Sequence, residues 1–326
     1  MLICVSPNPA VDRRLQLATL TRGEVNRALS ARPLAGGKAA HVAMAARALG
    51  EEVMWVGFGG GATGDELESG LSQLGIPLTV VRTKAHTRTN LEVIEPDGTV
   101  TEILEPGGEV TAGEVERFLT MCRDLFAEWR DEAQVALSGS LPPAAPVDLY
   151  ARLTRLAHAH GCRVLLDASG EALRQGLGAG PDLVKPNRDE AAYLAGGEHD
   201  GRCSVAGAAL RLFAAGARRV VITLGADGLL WQRDTGSAPI EVQPPRVDVV
   251  SAVGSGDATL AGLAVAYSRG LSDEETVRLA VACGAANCLA PAPGMIDPAQ
   301  VEQLSARATI RVAQMTRSPA PSEVAR

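Results

Sequence analysis

No two cysteines in this chain stand in a C-x-x-C spacing: Cys4, Cys122, Cys162, Cys203, Cys283 and Cys288 are scattered through 326 residues. Neither a zinc site nor a disulfide scaffold is indicated, and most of the thiols read as small core residues. Basic charge is also lacking. A net charge of -7 and a pI near 5.4 weigh against nonspecific nucleic-acid binding, which needs clustered Lys and Arg to displace phosphate counterions. No stretch approaches the roughly 18 apolar residues that span a bilayer. The opening residues, Met1 to Pro7, have no basic segment and too short an apolar run for a secretory signal. The expected setting is the cytoplasm, with no membrane and no nucleic acid as partner. Finally, no G-x-x-x-x-G-K-[ST] loop is present and no G-x-G-x-x-G follows the first apolar run, which counts against an ordinary P-loop NTPase and a nicotinamide dehydrogenase.

What the chain does have is apolar content, 46%, enough for a large core in one big α/β domain or two smaller ones. Short β-rich runs alternate with longer Ala/Leu-rich runs. Leu2 to Ser6, Val53 to Gly57, Val135 to Ser138, Arg163 to Asp167, Leu183 to Lys185 and Arg219 to Leu224 read as strands. Lys38 to Leu49, Asp65 to Leu74, Val147 to His160, Asp189 to Ala195 and Ser204 to Ala215 have helical period. The rhythm predicts a mostly parallel sheet covered by helices on both faces. Such sheets bind ligands beyond the carboxyl ends of their strands, and Gly139-Ser140, Asp167, Lys185-Pro186-Asn187, Gly225 and Gly254 fall at those ends. Two segments break the rhythm, Asp12 to Pro33 and Thr87 to Leu104, the second with a hairpin signal at Pro96-Asp97-Gly98. They predict a small antiparallel sheet that projects from the body, either as a lid over a substrate or as a surface for a second subunit. Thr316 to Arg326, polar with two prolines, is expected to be a loose tail.

The most informative junction is Val253-Gly254-Ser255-Gly256-Asp257-Ala258-Thr259, between a β-branched run (Val247 to Val250) and an apolar helical stretch, Leu260 to Tyr267. Glycines around a serine let the backbone turn tightly and aim free N–H groups at one point, the positive end of a helix, where phosphate is favoured. Asp257 then sits beside the anion. A carboxylate there is unfavourable unless it serves a purpose, such as taking a proton from a hydroxyl that attacks the phosphate. The alternative is a helix cap, for which Asp is common.

Other stretches are ambiguous alone. Ala35-Gly36-Gly37-Lys38 again places glycines before a helix, so Lys38 either meets an anion or is a solvated turn lysine. Arg88 either offers its guanidinium fork to a phosphate or lies on a solvated face. In Lys185-Pro186-Asn187-Arg188-Asp189-Glu190, Asn187 and Glu190 share a helical face; they either hold a hydrated magnesium ion or form a capping box. Thr223-Leu224-Gly225-Ala226-Asp227-Gly228 reads as a strand followed by a glycine turn.

In this order the segments resemble the PfkB, or ribokinase-like, sugar kinase family, over about residues 1 to 310. The glycine-rich signature resembles Ala35 to Ala45 and the G-A-G-D signature resembles Val253 to Asp257, with N-x-x-E between them. Asn8 to Asp12, Thr87 to Asn90, Ser138 to Pro143, Asp167-Ala168-Ser169 and Val184 to Asn187 point to the hexose-phosphate branch. Arg22 to Asn26, Val247 to Ser251 and Gly294 to Asp297 look most like its bacterial 1-phosphofructokinases. The resemblance implies an α/β, ribokinase-like three-layer sandwich with a mostly parallel central sheet and a small projecting β-sheet lid. It implies one kinase domain over residues 1–315, with lid segments at about 12–33 and 87–104, and a tail at 316–326. It also implies ATP-dependent phosphorylation of a ketohexose phosphate, fructose 1-phosphate first, with Mg2+, and a homodimer through the lid sheet. Asp257 would be the base, with Gly254, Ser255 and Gly256 as anion hole. Asp12, Gly36, Gly37, His41 and Ser138 would hold the sugar, with Lys38 and Arg88 near its phosphate. Lys185, Asn187, Thr223, Gly225, Gly228 and Asn287 would line the nucleotide side, and Glu190 would organise magnesium through water, with Asn187.

The pattern is broken in places. The family usually shows Gly-Gly-Lys-Gly-Ile-Asn-Val-Ala where this chain has Gly36-Gly37-Lys38-Ala39-Ala40-His41-Val42-Ala43, and its usual threonine before Val253 is Ala252. His41 is expected either to replace the asparagine's hydrogen bond to a sugar hydroxyl or to be a packed helix residue. Tagatose-6-phosphate kinase or 6-phosphofructokinase activity stays open, as does a sugar-phosphate-binding pseudokinase with little turnover.

Overall fold

A computed structural model describes residues 1–194 and 204–312. Strand β1 (Leu2–Ser6) shows why the central runs are apolar throughout: Leu2 and Cys4 enter the core on one face of the sheet, Ile3 and Val5 the core on the other. The chain then leaves the body in a hairpin, β2 (Ala10–Gln16) and β3 (Ser30–Gly36), and returns through α1 (Lys38–Ala48), β4 (Val53–Gly59), α2 (Gly61–Gln73) and β5 (Leu78–Arg82). A second hairpin follows, β6 (Arg88–Ile94) and β7 (Val100–Leu104). Gly98, at φ 85°, closes its turn with an N–H donated to the Glu95 carbonyl, in the Pro96-Asp97-Gly98 stretch where the sequence places it. The rest of the body is α3 (Ala112–Trp129), β8 (Gln134–Ser138), α4 (Leu149–Ala159), β9 (Arg163–Asp167), α5 (Gly170–Leu177), β10 (Leu183–Val184), α6 (Arg188–Leu194), α7 (Val205–Ala214), β11 (Val220–Thr223), β12 (Leu229–Gln232), β13 (Ile240–Gln243), α8 (Ser255–Ser268), α9 (Asp273–Leu289), α10 (Pro298–Arg307) and β14 (Thr309–Val312).

The main sheet has ten strands in the order β14-β13-β12-β11-β10-β9-β8-β1-β4-β5, parallel from β11 to β5 and antiparallel from β11 to β14. Helices α1, α8, α9 and α10 pack on one face around Trp55 and Trp231. Helices α3, α4, α5 and α7 pack on the other, where Phe58 stacks on Phe118 at 4.5 Å. This is the predicted α/β sandwich. The small sheet has the order β3-β2-β6-β7; each hairpin is antiparallel, and the inner strands β2 and β6 run parallel where the hairpins meet.

One expected strand is absent. Residues Val247 to Val250 form no strand, and Val249 and Val250 are exposed. Pro244 and Pro245 follow directly on β13 and have no N–H to give a ladder, so the chain reaches Gly254 as an irregular loop. The expected tail, Ala195 and Cys203 lie outside the described residues.

Candidate active site

The carboxyl ends of the parallel strands and one face of the small sheet enclose a cleft of about 1080 Å³. Into it points the N-terminus of α8. Gly254 caps that helix in the left-handed region (φ 80°), and a Cβ there would come within 2.7 Å of Pro293, so only glycine fits. The N–H of Ser255 is already donated to the Ala252 carbonyl at 3.1 Å. Of the three amides expected to form the anion hole, that of Ser255 is thus already engaged, while at this turn the N–H groups of Gly254, Gly256 and Asp257 have no protein partner among the described residues. The Lys185 ammonium stands beside them, 3.3 Å from where a Gly256 Cβ would lie.

Asp257, in the first turn of α8, is 6% exposed and lines the cleft. Its Oδ2 lies 2.9 Å from His41 Nδ1, and His41 Nε2 lies 3.0 Å from Asp12 Oδ2. Asp12 also accepts from Asn90 Nδ2 at 2.8 Å, across the β2/β6 register, and from the Gly37 N–H at 3.3 Å. Burial opposes the charge on His41, but two hydrogen bonds and two carboxylate charges outweigh it, and its pKa is pushed up to about 10. For Asp12, burial is likewise overcome by His41, Asn90 and Gly37, which hold the carboxyl below its usual range. No protein donor among the described residues takes Asp257 Oδ1.

A second charge group in the cleft is built around Asp167. Asp167, at the end of β9 and 1% exposed, receives Lys38 Nζ at 3.1 Å on Oδ1 and Lys185 Nζ at 2.9 Å on Oδ2. Burial raises the cost of its charge, yet the two ammoniums more than offset it and keep Asp167 ionised below the ordinary range. The Asp167 charge in turn raises Lys38, whose cation is secure at any working pH.

At the far end, Asn187 and Glu190 are the reciprocal cap of α6. The Glu190 N–H donates to Asn187 Oδ1 at 2.8 Å, and the Asn187 N–H donates to Glu190 Oε2 at 2.9 Å. Both side chains still line the cleft, with Thr223, Gly225 and Gly228 from the loop after β11. A parallel bridge between Asn187 and Thr223 ties the two loops together.

The sequence-derived candidates thus converge, with exceptions. Asp12, Gly37, Lys38, His41, Arg88, Lys185, Asn187, Glu190 and the glycine loop line one cleft. Three do not. Gly36 lies behind Asp12, where any Cβ would overlap the carboxylate, so it makes room for the acid instead of touching a ligand. Ser138 is buried at the end of β8, its Oγ without a partner among the described residues. Asn287 stands behind the glycine loop: it donates to the Val253 carbonyl at 2.7 Å and to Ser255 Oγ at 3.3 Å, and accepts the Gly294 N–H at 2.8 Å. It therefore supports the glycine loop from behind and does not line the cleft. His41 is a fourth correction, since both ring nitrogens are taken by protein carboxylates and neither is left for a sugar hydroxyl. Sequence reasoning gave no role to Asp167, Asn90 or Arg246, which also line the cleft. Asp167 was visible as an acid at a strand end, whereas Arg246 stands between two prolines and the β-branched run and matched no motif.

The arrangement is that of a group-transfer site for an anion: unpaired amides, a fixed ammonium and a carboxylate converge in one cleft. Comparison with known proteins agrees. Residues 8–299 match the model of the pfkB family carbohydrate kinases. The chain is 36% identical over 308 residues to 1-phosphofructokinase of Escherichia coli strain K12, covering 94% of this chain and 97% of that one. It is 34% identical to 1-phosphofructokinase of Rhodobacter capsulatus, covering 94% and 96%. Among solved structures it is similar to the tetrameric inhibited form of phosphofructokinase-2 from Escherichia coli, with TM-score 0.86, 30% identity, and 94% and 98% of the two chains covered. By fold, by site and by these matches, the chain belongs to the pfkB family of carbohydrate kinases.

Proposed function

We propose that the cleft transfers the terminal phosphoryl group of ATP to a hydroxyl of a ketohexose phosphate, fructose 1-phosphate first, to give ADP and fructose 1,6-bisphosphate. The observation that carries this reading is the Asp257 carboxylate in the same helix turn as the unpaired Gly254 and Gly256 amides, beside Lys185. In the proposed step the sugar hydroxyl gives its proton to Asp257 Oδ1 as its oxygen bonds to the γ-phosphorus. The bond from that phosphorus to the bridging oxygen breaks and ADP leaves. The free amides and Lys185 offset the charge on the transferred group. Lys38 and Arg88 serve the sugar's own phosphate; Arg88 is steadied by donating to the Glu105 carbonyl at 2.8 Å.

Magnesium fits the nucleotide end. Among the described residues no group of three His, Cys, Asp or Glu side chains can hold an ion. Glu190 spends Oε2 on the helix cap and has Oε1 for a water-mediated contact, with Asn187 beside it. Bound there, the ion would neutralise phosphate charge.

The 36% identity to a 1-phosphofructokinase over most of both chains supports taking fructose 1-phosphate first. An ADP-release assay across fructose 1-phosphate, tagatose 6-phosphate, fructose 6-phosphate and unphosphorylated sugars tests this. Fastest turnover with fructose 1-phosphate is expected; binding of sugar phosphate without turnover on any of them makes the protein a pseudokinase. The small sheet serves as lid and dimer surface, supported by exposed Ile103 and Leu104 on its edge strand β7. A strictly monomeric scattering profile at micromolar concentration contradicts the dimer. The free thiols of Cys4, Cys122, Cys162, Cys283 and Cys288 accord with a reducing cytoplasm, and no helix among the described residues is long and apolar enough to cross a membrane.

A further inference from the structure

His41 is the clearest departure of this chain from the glycine-rich motif of its family, and the structure gives the histidine a task that an asparagine cannot perform. The ring is 6% exposed on α1. Asp12 approaches it from β2 and Asp257 from α8, one at each nitrogen. Two more acids face it from the small sheet, Glu92 on β6 and Glu102 on β7, and Arg14 on β2 answers Glu92 at 2.9 Å. A neutral imidazole has one N–H and would press a lone pair against one of its two carboxylates; only the imidazolium donates to both. The amide of an asparagine is shorter and carries its two N–H groups on one atom, so it cannot span acids set on opposite sides of the ring.

We propose that His41 is a positioning residue for phosphoryl transfer, doubly hydrogen-bonded between Asp12 on the sugar side and Asp257 on the phosphate side, so that it fixes the rotamer of the base. Occupying Oδ2 leaves Asp257 Oδ1 as the oxygen turned toward the acceptor hydroxyl. The same ring ties that carboxylate to Asp12, so a sugar that displaces Asp12 also displaces the base. Acceptor seating and proton removal are thereby coupled. This rests on the reading of Asp257 as the base.

The test has two arms. In wild-type protein, ring-nitrogen NMR shifts of His41 at pH 8 are expected to show both nitrogens protonated; a neutral ring overturns the proposal. In steady-state assays, His41→Asn is expected to lower kcat and raise the KM for the sugar phosphate, together costing roughly ten- to hundredfold in kcat/KM, the size of one charge-assisted hydrogen bond. The KM for ATP stays unchanged. Wild-type activity should fall on the alkaline side as the imidazolium titrates near pH 10, and that limb should be missing from the variant. Kinetics and pH profile that superimpose on wild type overturn the proposal. Failure of the underlying reading looks different: an enzyme inactive on every sugar phosphate, with a doubly protonated His41, overturns the reaction and leaves the Asp12–His41–Asp257 bridge intact.

Discussion

Two charge groups line the cleft with opposite composition. In one, a cation lies between two acids, Asp12–His41–Asp257; in the other, an acid lies between two cations, Lys38–Asp167–Lys185. The first is net negative and has a carboxylate oxygen to spare, so it suits a group that gives up a proton. The second is net positive, with Lys185 beside the free amides of α8, so it suits a group that arrives as an anion. Each middle residue is sacrificed to its neighbours: His41 and Asp167 hold the flanking charges in place and have little left for a ligand. Buried charge is costly unless paired, and the pairing here also assigns the chemistry to two ends.

That contrast can be broken from either side. The largest effect is expected at Asp257: Asp257→Ala should cut turnover by about 10²- to 10⁴-fold, as for loss of a general base, read by ADP release. Removing the centre of the positive group comes next. Asp167→Ala strands Lys185, 3% exposed, without its counter-charge and should lower unfolding stability by about 3–5 kcal/mol, measured by denaturant titration. The negative group predicts a pH signature. Because the pKa of His41 is raised when folded, its contribution is complete below its ordinary value of 6.5 and is lost as pH climbs to about 10. The gap in Tm between wild type and His41→Asn should therefore be widest in mild acid and close by about pH 10; a gap constant with pH means the ring is not a cation. The smallest effect is expected at the nucleotide end. Glu190→Gln keeps the helix cap, so stability should move by less than about 0.5 kcal/mol, while the magnesium needed for half-maximal rate should rise in a metal titration.

The main sheet was legible because its strands are buried on both faces and read as unbroken apolar runs between helical stretches; β1 and β9 match the expected spans residue for residue. The glycine junction before α8 was legible because the conformation of Gly254 leaves a mark in sequence. The approach to it was not: a β-branched run suggested a strand, and the two prolines that forbid the ladder carried the stronger information. The site was legible as a set of residues but not as a network. No spacing announces that His41 reaches acids from β2 and α8, or that Asp167 joins lysines 38 and 185, because these partners meet only through the sheet order. Asn287 and Gly36 were read as contacts with ligand because a sequence does not separate a residue that touches from one that stands behind.

The division of labour between the two groups is tested most directly by the affinity for a non-hydrolysable ATP analogue, measured by calorimetry on Asp257→Asn and Lys185→Met in the presence of magnesium. Asp257→Asn is expected to bind the analogue as tightly as wild type or more so, since a negative charge beside the phosphate is gone, whereas Lys185→Met should weaken binding by roughly ten- to hundredfold. Equal losses in both variants would mean that the carboxylate helps to hold the nucleotide, and would contradict its assignment to proton removal.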